Sequence, residues 1–549
     1  MTYTLPQLRQ ATEAPPQTAY LVTSGDSREP ANVASWPTQV ELERIVTAEL
    51  EKNSWQVVRA EQVAEDAPHG FVRSQRHGIE VFRSVPPEAP LVVAIANWQY
   101  SHHVLPGLRT HRGPILTVAN FSGRWPGLVG LLNLNAGLTK MGKPYSTLWT
   151  VDGTDDWFRD GIRAWAETGT VPQDESHVRP LPELPATPES ELGRALAAEL
   201  LTERAIIGVF DEGCMGMYNA IFDDELLQPI GIYKERLSQS ALWAEMQRVS
   251  DDEAAEIGRW LTEQGMTFRL GTDEATELTD AQLLSQCRMY VAALRIADDF
   301  GLDAVGIQYQ QGLKDTVPAS DLVEGLLNDR ERPPVRSRDG SRVLFEGQAI
   351  PHFNEVDEGV AVDGLVTNRV WRAMGLDPAT TLHDVRWGED HDGQFVWVFE
   401  ISGSVPPSHL TGGYAGAEGW RQGNVFFPAG GSTINGGSKP GEIVWSRVYL
   451  AEGALHVDLG RGTVVELPAE ETQRRKEATN PEWPIMHAVL HGVSRDQFMG
   501  RHKANHIQVA YAEDADGADR AVTAKAAMFE ALGLQVHVCG DVRFAGVDA

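Results

Sequence analysis

The sequence predicts an α/β chain: two Rossmann-like domains with parallel sheets, residues 1–175 and 176–350, then a C-terminal α+β domain, residues 351–549, with a sizeable antiparallel sheet. Three observations predict this. Short apolar runs alternate with helical segments over the first two thirds of the chain. Beyond Pro351 the texture changes to β-rich segments punctuated by glycine. The 549 residues suffice for about three domains.

In chain order, Gln39–Lys52 sets Val40, Leu42, Ile45, Val46 and Leu50 at near-helical spacing and reads as an amphipathic helix. Leu91–Ala96 and Ile115–Asn120 are buried strands that end in polar loops. Pro126–Met141 is a helix with proline at its start and Gly142 at its end. Tyr145–Trp149 is the next strand. The Pro-, Glu- and Ser-rich stretch Val178–Glu189 reads as a linker between domains. The pattern then resumes, with a strand at Ala205–Phe210, a long helix at Asp280–Phe300 closed by Gly301, and a strand at Ala304–Tyr309. In the last domain Gln394–Ile401 and Arg447–Leu467 read as strand segments, and Pro428–Gly441 as a glycine-rich turn.

Composition narrows the function. A formal net charge of -30 argues against nucleic acid and anionic membranes as partners, because phosphate binding is driven by Lys and Arg clusters. Cys214, Cys287 and Cys539 lie far apart and form no CxxC pair, which fits a reducing cytoplasm. The first twenty residues lack an apolar signal core, and no run of about 18 apolar residues occurs. A cytoplasmic protein acting on a small molecule is expected. The loops after two of the strands, Ala96-Asn97-Trp98-Gln99 and Asp211-Glu212-Gly213-Cys214-Met215-Gly216, are not GxGxxG, and Pro428–Gly437 lacks the Gly-Lys-Ser/Thr of a P-loop. No nucleotide cofactor is therefore expected.

Three C-terminal segments concentrate acid and imidazole groups: Asn354-Glu355-Val356-Asp357-Glu358-Gly359, His383-Asp384-Val385-Arg386-Trp387 and Lys503-Ala504-Asn505-His506. Each alone reads most simply as a turn or a surface group. Together, two carboxylates and an imidazole would suit Mn²⁺ or Mg²⁺ with positions left for substrate.

Several separated stretches resemble the L-fucose isomerase family, which includes D-arabinose isomerases and is distantly akin to L-arabinose isomerases. Asn120-Phe121-Ser122-Gly123-Arg124-Trp125-Pro126-Gly127, Gly142-Lys143-Pro144, Gly306-Ile307-Gln308-Tyr309-Gln310-Gln311, Asp384-Val385-Arg386 and Ala504-Asn505-His506 follow one another in the family's order. The resemblance implies that Glu355, Asp384 and His506 bind a catalytic Mn²⁺, with Mg²⁺ or Co²⁺ as alternatives. It also implies that Glu355 and Asp384 serve as the acid/base pair. The interval from Glu355 to Gly359 is shorter than the family's, which leaves Asp357 and Glu358 as alternative ligands. Gln310, Trp98, Trp483 and Asn505 correspond to substrate-contacting positions. The implied activity is aldose–ketose isomerisation through an ene-diol. The implied assembly is a homohexamer in which Trp98 reaches a site built on a neighbouring subunit. A non-catalytic sugar binder of the same fold and a metal-dependent hydrolase are the rival readings.

Overall fold

The computed structural model describes residues 12–547. Strands β1 (Thr18–Val22), β2 (Gln56–Arg59), β3 (Leu91–Ile95), β4 (Ile115–Asn120) and β5 (Ser146–Thr150) form an all-parallel sheet in the order β2-β1-β3-β4-β5. Every residue of β3, β4 and β5 is buried. Helices cover both faces, and β3 accordingly reads as an unbroken apolar run. The winding direction reverses between β1 and β3, and the loops leaving their carboxyl ends splay apart there into a crevice. The helix expected over Gln39–Lys52 begins ten residues earlier and spans Glu29–Lys52. Pro37 lies inside it, and a proline in the middle of a helical pattern reads as a boundary.

The segment read as a linker has a different role. β6 (Val178–Pro180) joins the C-terminal sheet antiparallel to the last strand, and the helix Pro188–Glu203 follows, started by a Thr187–Ser190 capping box. β7 (Ala205–Phe210), β8 (Ile232–Leu237) and, beyond the two-residue β9 (Thr267–Phe268), β10 (Ala304–Ile307) build the second parallel sheet. Its order is β10-β7-β8, three strands only. The helix Asp280–Phe300 ends on Gly301 at φ 63°, a left-handed cap that glycine adopts without steric cost.

The C-terminal region contains β11 (Thr381–His391), β12 (Gln394–Glu400), β13 (Glu418–Gly419, paired with β9), β14 (Gly441–Ala451), β15 (Ala454–Val464), β16 (Ile485–Leu490), β17 (His506–Tyr511) and β18 (Gln535–Cys539). The β-rich stretch Arg447–Leu467 is most of a hairpin, turning at Glu452 and Gly453 with φ of 51° and 75°. The antiparallel pairs run β14-β17-β11-β12-β16-β15, and β15 pairs back to β14, closing a six-strand barrel. β18 adds to β15 in parallel, and β6 follows it, so the sheet is mixed rather than purely antiparallel.

The N-terminal sheet docks on the barrel. Arg386 Nε donates to Gly123 O at 2.7 Å, and the Trp149 indole N–H donates to Asp496 Oδ1 at 3.0 Å. No helix among the described residues is long and apolar enough to cross a membrane.

Candidate active site

Asp384 on β11 and His506 at the start of β17 are register partners in an antiparallel pair. Cross-strand partners project to the same face only a few ångströms apart. His506 Nε2 lies 3.4 Å from Asp384 Oδ1 and 3.7 Å from Glu355 Oε2. Glu355 reaches this point from a tight turn in which it and Val356 hold φ of 56° and 55°. A β-branched residue in left-handed conformation is strained by about 1–3 kcal/mol and persists only where its surroundings hold it, a pattern that clusters at functional sites.

The other face of His506 is fixed. Its Nδ1–H donates to Asp357 Oδ2 at 2.7 Å, which leaves Nε2 facing the two carboxylates. Asp357 accepts two bonds from Arg447, at 2.7 and 2.9 Å, and caps the helix Glu358–Ala373 through the N–H groups of Gly359 and Val360. Burial alone would raise the Asp357 carboxyl, but the charges of Arg447 and His506 hold it well below the usual range. Burial would lower the His506 imidazole, yet the bond to Asp357 and the three nearby carboxylates raise it. Burial pushes Glu355 up to about 7, with Asp384 adding and His506 opposing. Burial likewise raises Asp384, against His506 and Arg386.

Glu358 lies apart. Its carboxylate meets Lys234 Nζ at 2.9 Å and accepts from the Phe222 N–H at 2.6 Å. Of the acidic run, then, Glu355 alone faces the Nε2 of His506, while Asp357 stands behind that ring.

Among the described residues no group of three His, Cys, Asp or Glu side chains stands ready as a metal cage. Glu355, Asp384 and His506 are instead drawn in on one another as ion pairs. Their donor chemistry still fits a divalent cation: two buried carboxylate oxygens and an imidazole nitrogen oriented by a carboxylate behind it, with a local excess of negative charge.

Arg28, Trp98, Val129, Met215, Phe426 and Trp483 are among the residues that close the pocket over Glu355 and Asp384. The free space within is about 30 Å³. Outside lies an open cleft of about 1380 Å³ that shares Phe426 with the pocket.

Trp98 and Trp483 line the same pocket as the two carboxylates. Asn505 is buried behind Asp384, its amide oxygen without a partner among the described residues. The indole N–H of Trp98 and both amide atoms of Gln310 are likewise unpaired. Gln310 does not border the pocket around Glu355. Within one chain Trp98 lines the pocket that holds Glu355, and the N-terminal sheet is docked on the same chain's barrel.

Sequence reasoning missed Arg28, Arg386, Ser402 and Met215. Arg28 is buried with its guanidinium forked on Asp26 and lies 4.8 Å from the Phe426 ring centre. It follows β1 and Trp98 follows β3, so the two leave the sheet at its topological switch point, where open α/β sheets bind ligands. A strand assignment at Thr18–Val22 would have exposed it. Arg386 sits at a bulge in β11, and its guanidinium is committed to Gly123 O, Asn480 Oδ1 and Glu400.

Residues 415–523 match the family model of the L-fucose isomerase C-terminal domain. Over those residues the chain is similar to the C-terminal domain of the L-fucose isomerases. The match spans Trp483, Asn505 and His506 on the barrel but stops short of Glu355 and Asp384 on the N-terminal side. A family of sugar isomerases is thereby indicated. A comparison with curated proteins finds no match.

Proposed function

We propose that the chain is an aldose–ketose isomerase of the L-fucose/D-arabinose type, working with a divalent cation, Mn²⁺ first, held by Glu355, Asp384 and His506. The observation that carries this reading is the convergence of two buried carboxylates on the Nε2 of an imidazole whose other nitrogen is tied to Asp357. When bound, the cation would supply Lewis-acid polarisation of the sugar carbonyl.

The chain's own groups supply the rest. Isomerisation moves a proton from the carbon next to the carbonyl to the former carbonyl carbon, and one between the two oxygens. The Glu355 carboxylate, which lines the pocket and meets the Ser402 hydroxyl, is the group placed to take and return the carbon-bound proton. Asp384, which lines the same pocket, is the partner for the second proton. General acid/base steps of this kind contribute about 10²–10⁴-fold each. His506, held by Asp357, presents its Nε2 to both carboxylates. Trp98, Trp483, Phe426 and Phe427 form an apolar wall that shields an ene-diol from water, and the unpaired Trp98 N–H matches a sugar hydroxyl.

The test is a panel of aldoses in ²H₂O with Mn²⁺. Ketose carrying deuterium at the position that receives the proton is the expected product. Sugar binding without ketose would favour a non-catalytic binder, and turnover only of a cleavable bond would favour a hydrolase. A homohexamer in the cytoplasm belongs to the same reading, and sedimentation of the purified chain tests the assembly.

A further inference from the structure

One side chain behind the pocket wall gathers three parts of the site. Gln422, 1% exposed, lies on the loop between β13 and β14 and does not border the pocket around Glu355. Its Oε1 accepts the indole N–H of Trp483 at 2.5 Å. Its Nε2 donates to Asp321 Oδ2 at 2.5 Å and to the Ser402 carbonyl at 3.3 Å. The Ser402 hydroxyl in turn donates to Glu355 Oε1 at 3.3 Å. The loop itself is pinned, since the Gln422 N–H donates to Gly431 O at 2.8 Å.

The orientation of this amide follows from chemistry. An indole nitrogen can only donate, so the Gln422 oxygen must face Trp483 and the nitrogen must face Asp321 and Ser402, using both amide hydrogens. The indole N–H is the one polar group of the Trp483 side chain. Its ring rests against Phe426 and Phe427 at centroid distances of 5.5 and 6.4 Å, contacts that permit tilting unless the N–H is held.

We propose that Gln422 is a positioning residue: it fixes the plane of the Trp483 wall and ties that wall, through the Ser402 backbone, to the hydroxyl that meets Glu355. The effect on turnover rests on the isomerase reading, whereas the fixing of the indole does not. Gln422 touches no reacting atom, so its loss weakens the fit of the sugar more than the chemical step.

The experiment uses the full chain, with the tryptophan indoles labelled with ¹⁵N, in wild type, Gln422→Met and Trp483→Phe. The resonance missing from Trp483→Phe identifies the Trp483 indole. It should lie downfield in wild type and move upfield in Gln422→Met, while Asp321→Asn, whose amide oxygen still accepts from Gln422, leaves it in place. Gln422→Leu makes the same deletion should methionine not fold. With a sugar that the wild type isomerises, KM in Gln422→Met should rise about tenfold with kcat held within about threefold. The double variant with Trp483→Phe should be no worse than the poorer single by more than about twofold. An unmoved indole resonance in the methionine or leucine variant, or losses that multiply in the double variant, would overturn the proposal. If the wild type turns over no sugar, the spectra still decide the role of Gln422, and the failure falls on the isomerase reading alone.

Discussion

Replacing Glu355 with glutamine should abolish isomerisation and yet make the cation-free protein more stable at pH 8. The Glu355 carboxyl rises from 4.5 to about 7 because it is buried next to Asp384. Its folded state holds the proton more tightly than the unfolded chain does. Between pH 4.5 and 7 unfolding therefore releases a proton, and stability falls as pH rises through that window. Above pH 7 the full cost is present, about 3 kcal/mol at 1.36 kcal/mol per pKa unit. Glutamine has the same shape and no charge to bury, so Glu355→Gln should be nearly level with wild type at pH 4.5 and ahead by up to about 3 kcal/mol at pH 8. Urea titrations in chelator at the two pH values measure the difference. Mn²⁺ at a hundredfold excess over its Kd should then raise the wild type by about 2.7 kcal/mol and the variant by much less. Equal stability of the two proteins at pH 8, or parallel pH profiles, would refute the claim that an uncompensated carboxylate at position 355 strains the cation-free site.

Other outcomes follow from the same geometry. Asp357→Asn leaves Arg447 buried without its countercharge and His506 without its orienting carboxylate. Stability should drop by about 3–5 kcal/mol and Mn²⁺ affinity by about 10–100-fold; unchanged affinity by calorimetry would show that Asp357 does not set the imidazole. Burial pushes His352 down to about 3, so the unfolded chain takes up a proton below pH 6.5 that the native chain refuses, and stability is lost as pH falls. This group alone accounts for a loss of about 2 kcal/mol between pH 7.5 and 5, and His352→Leu should flatten the urea profile by that amount over that range. Trp98→Ala and His506→Ala, each inactive, should stay inactive when dissociated and reassembled together, because Trp98 serves the pocket of its own chain. Recovered activity would mean that a neighbour's first domain completes the site.

What could be read from the sequence were the parts fixed by local pattern. β3, β4, β7 and the helix Asp280–Phe300 stand within a residue or two of their expected bounds, since each is a short buried run or a capped helix. Asp384 and His506 were marked by short matching segments, and β-pairing then made them neighbours. The barrel could not be read in this way, because its closure depends on pairings between strands far apart in sequence, and Arg447–Leu467 carries no proline at the turn to divide it. Arg28 escaped because β1 has only five residues and follows a polar, proline-rich stretch. The choice between Glu355 and Asp357 turned on backbone conformation. Two successive left-handed residues send one carboxylate forward and the next one back, and no spacing rule encodes that.

The closure of the barrel has a consequence for how the site tolerates change. In an open sheet a strand can slide past its neighbour by one residue, turning every side chain to the opposite face. Here β11 and β17 belong to a ring in which each strand is gripped on both sides. To separate Asp384 from His506, all six strands would have to shift in concert, which shear around a closed cylinder forbids. Substitutions on the barrel's outer surface can therefore accumulate without changing the spacing of these two groups, while the Glu355 turn, anchored outside the ring, remains free to vary. Differences in substrate or cation preference among chains of this architecture should be sought in that turn and in the loops around it rather than in the staves.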